Sequence, residues 1–156
     1  MNILAVLQVF PNDQSPGLRL AAAHRLVKLG LLQQFLKNGF DITPSHWNVL
    51  CALWESDSAT QTVLAQKAYL DRPNLTRILG RLEKKGFVER KPNPDDHRSY
   101  IIQLTKKGRD AKAPLVKIVE AHLQKAFIGM TQKEFEAGIH FLRIVIDNLG
   151  YVKNID

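Results

Sequence analysis

Apolar positions along this chain recur mostly at helical spacing, and the pattern switches to alternation once, near its centre. Ser15-Pro16 reads as an N-cap followed by proline in the first turn. The spacing predicts a helix from there to about Asn38, ended by Gly39, with Leu18, Ala22, Leu26, Leu29, Leu32 and Leu36 as its apolar stripe. Thr43-Pro44 repeats the start signal for a second helix, which carries Trp47, Leu50, Leu53 and Trp54 on one side and ends near Ser56. Asp57 to Ala59 is a polar loop, and Thr60 caps a short third helix through about Tyr69 that buries Val63, Leu64 and Ala68. A long helix begins at Lys106, and Pro114 inside it should bend it or mark a break. Thr131 and Glu134 form a capping box for the last helix, where Phe135, Ile139, Leu142, Ile146 and Leu149 repeat about every 3.5 residues as a packing seam. Residues 1 to 14 form an apolar arm (Ile3, Leu4, Val6, Leu7, Val9, Phe10) that ends at Pro11-Asn12-Asp13. It is either a frayed tail or a segment that packs on its own or a partner subunit.

The central stretch, Asp71 to Thr105, carries the chemistry. Asp71 can cap the first turn of a helix whose Leu75, Ile78, Leu79 and Leu82 make one buried face. The other side carries Arg72, Pro73, Asn74, Thr76, Arg77, Arg81 and Lys84, the residue types that reach base edges and phosphates in a major groove. After Gly86 the period becomes two, and Phe87 to Lys91 and Ser99 to Leu104 read as short strands joined by a Pro/Asn/Asp turn. A short helix, a tight turn, an amphipathic helix and a basic hairpin make a winged helix-turn-helix in a mainly α fold.

The stretch resembles the DNA-binding lobe of MarR/SlyA-type transcriptional regulators. The matching residues are Leu64-Ala65, Leu70-Asp71-Arg72, Leu75-Thr76-Arg77, Leu82 to Val88, and Asp96-His97-Arg98 ahead of Leu104-Thr105-Lys106-Lys107-Gly108. Thr43 to Trp47 is similar to the start of the second helix in SlyA-like members. The chain departs from the family in placing His97 where the first wing Arg usually stands. The resemblance implies a single domain over residues 1–156, with a DNA-binding lobe at 43–105 and dimerisation helices at 1–38 and 109–156. It implies a homodimer that binds a pseudo-palindromic operator in double-stranded DNA, as a ligand-responsive repressor, while the single cysteine and a first stretch without a charged n-region or cleavage site point to the cytoplasm. Arg72, Pro73, Asn74, Thr76, Arg77, Arg81, Lys84, His97 and Arg98 are the expected DNA contacts, with Arg98 reaching the minor groove. It also implies a small aromatic or phenolic effector. Arg25, His46, Trp47 and Trp54 are the candidates to line its site, beside the reading of His46 and the two Trp as core.

Composition sharpens this reading. The 156 residues carry a formal net charge of +7. Eleven of the 22 basic residues lie between Arg72 and Arg109, the footprint of a polyanion partner. One cysteine excludes a disulfide framework, and no stretch is long and apolar enough to span a membrane. His24, His46, His97, His122 and His140 show no metal-binding spacing, no catalytic constellation stands out, and no cofactor is implied. Cys51, between Leu50 and Leu53, reads as an inert buried thiol. Two alternatives remain: a winged helix serving protein interaction, and a metal-responsive regulator with ligands distant in sequence.

Overall fold

A computed structural model describes residues 15–94 and 99–150. In chain order these form α1 (Pro16–Lys37), α2 (Pro44–Trp54), β1 (Ser58–Thr60), α3 (Gln61–Lys67), α4 (Arg72–Lys84), β2 (Val88–Pro92), β3 (Tyr100–Leu104), α5 (Lys106–Asp110), α6 (Lys112–Ala126) and α7 (Gln132–Leu149). The fold is mainly α with one small antiparallel sheet of order β1-β3-β2. Residues 1–14, Asp95 to Arg98 (the expected contacts His97 and Arg98 among them) and 151–156 lie outside the described residues, and with them the apolar arm and the end of the expected 109–156 segment.

Local chemistry sets most helix starts. Side-chain oxygens of Ser15, Thr43, Thr60, Asp71, Thr105 and Thr131 each accept an amide hydrogen from the first turn. The long helix expected from Lys106 is two helices, parted at Ala111. Pro114 explains the break: lacking an N–H, it cannot extend an incoming helix but fits the first turn of a new one.

The segment Ser58–Thr60, expected to be loop up to Ala59, is instead an edge strand paired with Ile101 to Gln103. Strand β2 runs one residue later than the alternation suggested, and β3 starts one residue later but ends at Leu104 as expected. Val88 faces Leu104 and Arg90 faces Ile102, so Ile102, Leu104 and Val88 bury one face against the helices. Leu31, Phe35, Ile42, Val49, Leu50, Leu53, Leu64, Leu75, Ile78, Leu79, Leu82, Phe87 and Leu115 are among the other residues of the core. In α3 the buried residues are Leu64 and Ala65, with Val63 turned outward.

The outer helices differ from the sequence reading in a useful way. In α1 the inward residues are Leu31 and Phe35, while Leu18, Leu26, Leu29 and Leu36 of the expected stripe are exposed. Helix α7 buries no residue at all, and Phe135, Ile139 and Leu142 of its seam stand open with Phe141 and Ile144. These faces are apolar without a covering surface among the described residues.

Gly108 ties the wing to α5. A Cβ there would stand 2.1 Å from the Phe87 carbonyl oxygen, which is backbone and cannot step aside. Gly108→Ala is therefore expected to lower stability by about 1–3 kcal/mol, read as a reduced urea midpoint with unchanged slope. An unchanged midpoint would mean that α5 shifts freely.

Candidate nucleic-acid interface

Helix α4 owes its position to its buried face and its readiness to an N-terminal network. Leu75, Ile78, Leu79 and Leu82 anchor it in the core. On a helix turning 100° per residue, Pro73, Arg77, Gly80 and Lys84 then point away from the protein, flanked by Thr76 and Arg81. Asp71 Oδ1 accepts from the Asn74 backbone N–H at 2.8 Å, and Asn74 Nδ2 donates to Asp71 Oδ2 at 2.6 Å. Arg77 Nη2 in turn donates to Asn74 Oδ1 at 2.9 Å. The chain Asp71–Asn74–Arg77 holds an exposed guanidinium in a defined orientation before any ligand arrives. Thr76 is held differently, its hydroxyl donating to the Arg72 carbonyl at 2.9 Å.

The positive charge is less free than a count suggests. Lys85 pairs with Asp41, Arg90 with Glu83 at 3.5 Å, Lys91 with Glu89 at 3.1 Å, and Arg109 with Asp57 at 3.1 Å. Lys107 donates to the Lys85 carbonyl at 2.7 Å and lies over the Phe87 ring. Arg72, Arg77, Arg81 and Lys84 of α4 make no ion pair with a described residue, so uncompensated charge runs from the start of that helix, at Arg72, along its exposed side. Sequence reasoning passed over Tyr100. It is 54% exposed, opposite Pro92 in the wing and on the sheet face shared with Arg90. The signal available was its place at the first alternating position of β3.

None of the four candidate effector residues lines the cavity beside Phe40 and Phe87 or the one beside Phe127 and Phe135. Arg25 is exposed on α1. Trp47 and Trp54 meet edge to face at 5.4 Å, and Trp54 Nε1 donates to the Gly108 carbonyl at 2.9 Å. His46 is buried, and its Nδ1 accepts from the Thr43 N–H at 3.0 Å, while its own N–H donates to Thr43 Oγ1 at 3.3 Å. Burial first, then the Arg81 and Lys85 charges, bring its pKa down to about 4, against a smaller opposing pull from Asp41. A cavity of about 700 Å³ lies elsewhere, between Phe40, Phe87, Ala111 and Pro114, with Lys85, Lys106 and Lys107 at its walls.

The other candidate groups have structural partners. His122 Nε2 lies 3.0 Å from the Val27 carbonyl, where α6 crosses α1 at Gly30. Cys51 is half-buried, and burial followed by the Glu55 charge pushes its thiol up to about 11, so it stays protonated at neutral pH. Among the described residues no three His, Cys, Asp or Glu side chains converge as metal ligands, and no helix is long and apolar enough to cross a membrane.

Residues 42–100 match the MarR family model. The multiple antibiotic resistance protein MarR of Escherichia coli is 40% identical over 78 residues, which are 50% of this chain and 54% of that protein. The transcriptional regulator SarZ of Staphylococcus haemolyticus is 31% identical over 108 residues, 69% of this chain and 72% of SarZ. The chain thus spans about half the length of some curated relatives and more than two thirds of another. A variant of Escherichia coli MarR solved in complex with operator DNA superposes with a TM-score of 0.78 at 28% identity, covering 86% of this chain and 96% of that one.

Proposed function

Since this chain belongs to the MarR family, we propose that it is a sequence-specific DNA-binding regulator of transcription, acting in the cytoplasm as a homodimeric repressor on a pseudo-palindromic operator. The carrying observation is the outward face of α4: uncompensated Arg72, Arg77, Arg81 and Lys84, with Arg77 braced by Asn74 and Asp71, beside a β-wing. A braced guanidinium is suited to bidentate recognition of guanine, because its ordering cost is met before binding. Lys84, about two turns further on, has the reach for phosphate. Arg72, Pro73, Asn74 and Thr76 supply further contacts, Arg81 a flanking one, and Tyr100 adds a phenol from the wing. His97 and Arg98, which lie between β2 and β3 in the sequence, complete the proposed set. The exposed apolar faces of α1 and α7 support the two-fold dimer, which sets two copies of α4 about 34 Å apart, one turn of DNA.

An aromatic or phenolic effector fits this reading. The cavity between Phe40, Phe87 and Lys106 combines apolar walls with the ammonium groups of Lys106 and Lys107 beside the Lys85–Asp41 pair and Asp110, whereas Trp47 and Trp54 are engaged in packing and His46 in a helix cap.

Two substitutions separate reading from gripping. Arg77→Ala is expected to weaken operator binding by about 1–3 kcal/mol and to relax preference at one position of each half-site. An equal loss on operator and random duplexes would assign Arg77 to phosphate. Lys84→Ala should weaken both duplexes alike and lower the salt slope by about one unit per protomer. Equal binding of the unsubstituted protein to operator and random DNA would instead favour a protein-interaction role for this face.

A further inference from the structure

The corner between α6 and α7 is apolar, preformed and open. Leu123, Phe127, Met130 and Phe135 wall a cavity of about 410 Å³ whose polar lining contains only Gln and Thr side chains. Ile128 beside it is 85% exposed and Met130 45%. The corner is nonetheless well fixed. The Met130 N–H donates to the Phe127 carbonyl at 3.1 Å, the Phe127 and Phe135 rings meet edge to face at 5.3 Å, and Glu134 accepts from the Thr131 N–H and hydroxyl. An apolar cavity held open in this way, with no charge on its walls, suits an uncharged apolar segment.

Such a segment starts from the same end of the molecule. Helices α1 and α6 run antiparallel, because His122 meets Val27 while Ala111 and Pro114 share a cavity with Gly39 and Phe40. Continuing that pairing sets Phe127 level with about Ala22, and Ser15 lies roughly 10 Å beyond at 1.5 Å per residue. Pro11 to Gln14, extended, span about 13 Å. The four-residue link is thus long enough to span that distance, and the segment Ile3 to Phe10 that precedes it has six large apolar side chains and no charged one. We propose that residues 3–10 dock in the α6–α7 corner of their own chain, with Leu7 or Phe10 filling the cavity between Phe127, Met130 and Phe135.

The test uses the full chain with Cys51→Ser as background. With Leu7→Cys and Met130→Cys, mild oxidation should close a disulfide within one chain in most molecules, read by intact mass and non-reducing gels. Leu7→Cys paired with Ile144→Cys, at the far end of α7, should give at least about tenfold less. Equal yields at both positions, no bond at either, or a bond between chains would each overturn the proposal, the last by assigning the corner to a second copy. A second measurement does not depend on cysteines. Leu7→Asp with Phe10→Asp should speed hydrogen exchange in residues 123–135 by about tenfold while residues 75–82 stay protected. Unchanged exchange at the corner would overturn the docking, and neither readout involves DNA.

Discussion

Replacing Ile139 and Leu142 together with Glu is expected to leave the protein monomeric at micromolar concentration and to weaken operator binding at least about 100-fold, the avidity that two linked sites confer. Both side chains are exposed in the single chain and α7 buries no residue, so the substitutions leave the core of one subunit intact. In the proposed dimer they set four carboxylates close to the two-fold axis, where burial without partners opposes association. Light scattering gives the mass and fluorescence anisotropy the affinity. The emission of Trp47 and Trp54, half-buried against the core of the DNA-binding lobe, serves as the control for folding and should not move. A dimeric mass in the double variant would place the two-fold interface elsewhere, with the outward leucines of α1 as the remaining apolar face.

How much of this was legible in the sequence depends on the range of each interaction. Helix starts were readable because Ser15, Thr43, Thr60, Asp71 and Thr131 act on amides only three residues away. The four buried leucine and isoleucine positions of α4 were readable for the same reason, as was the change of period after Gly86. Strand β1 was not. Its three residues, Ser-Ala-Thr, have no pattern of their own and become a strand only by pairing with β3, more than 40 residues downstream. The basic count between Arg72 and Arg109 located the interface but overstated its charge, because Lys85, Arg90 and Arg109 pair with Asp41, Glu83 and Asp57. For α1, spacing identified an apolar stripe without saying which side faces inward. Leu31 and Phe35 win that side because the crossing with α6 at Gly30 and His122 fixes the rotation of the helix. The Asp71–Asn74–Arg77 brace lay between these cases: the spacing permitted it, but only the geometry of the first turn closes it.

Acidification should destabilise the fold through His46. The unfolded chain takes up a proton on this residue near its ordinary value of 6.5, while the folded protein holds off until about 4. Between those values the unfolded state binds more protons, so stability present above pH 6.5 is lost as pH falls and levels out below 4. One proton over that window corresponds to at most about 3 kcal/mol, a large share of a small domain's stability. Structure gives the cause. The buried ring stands near Arg81 and Lys85, with Asp41 too weak to offset them, and protonation of Nδ1 would forfeit the hydrogen bond from the Thr43 N–H that opens α2. Carboxylates titrate in the same range, so the informative quantity is a difference. His46→Gln keeps an acceptor three residues after the cap and cannot titrate, as in an ordinary capping box. Urea midpoints of the two proteins, compared at pH 7.5 and pH 4.5, should show the unsubstituted chain losing about 2 kcal/mol more than the variant across that interval. Parallel losses would mean that the folded protein takes up the His46 proton as readily as the unfolded chain does, with Nδ1 not held as the acceptor of the Thr43 N–H.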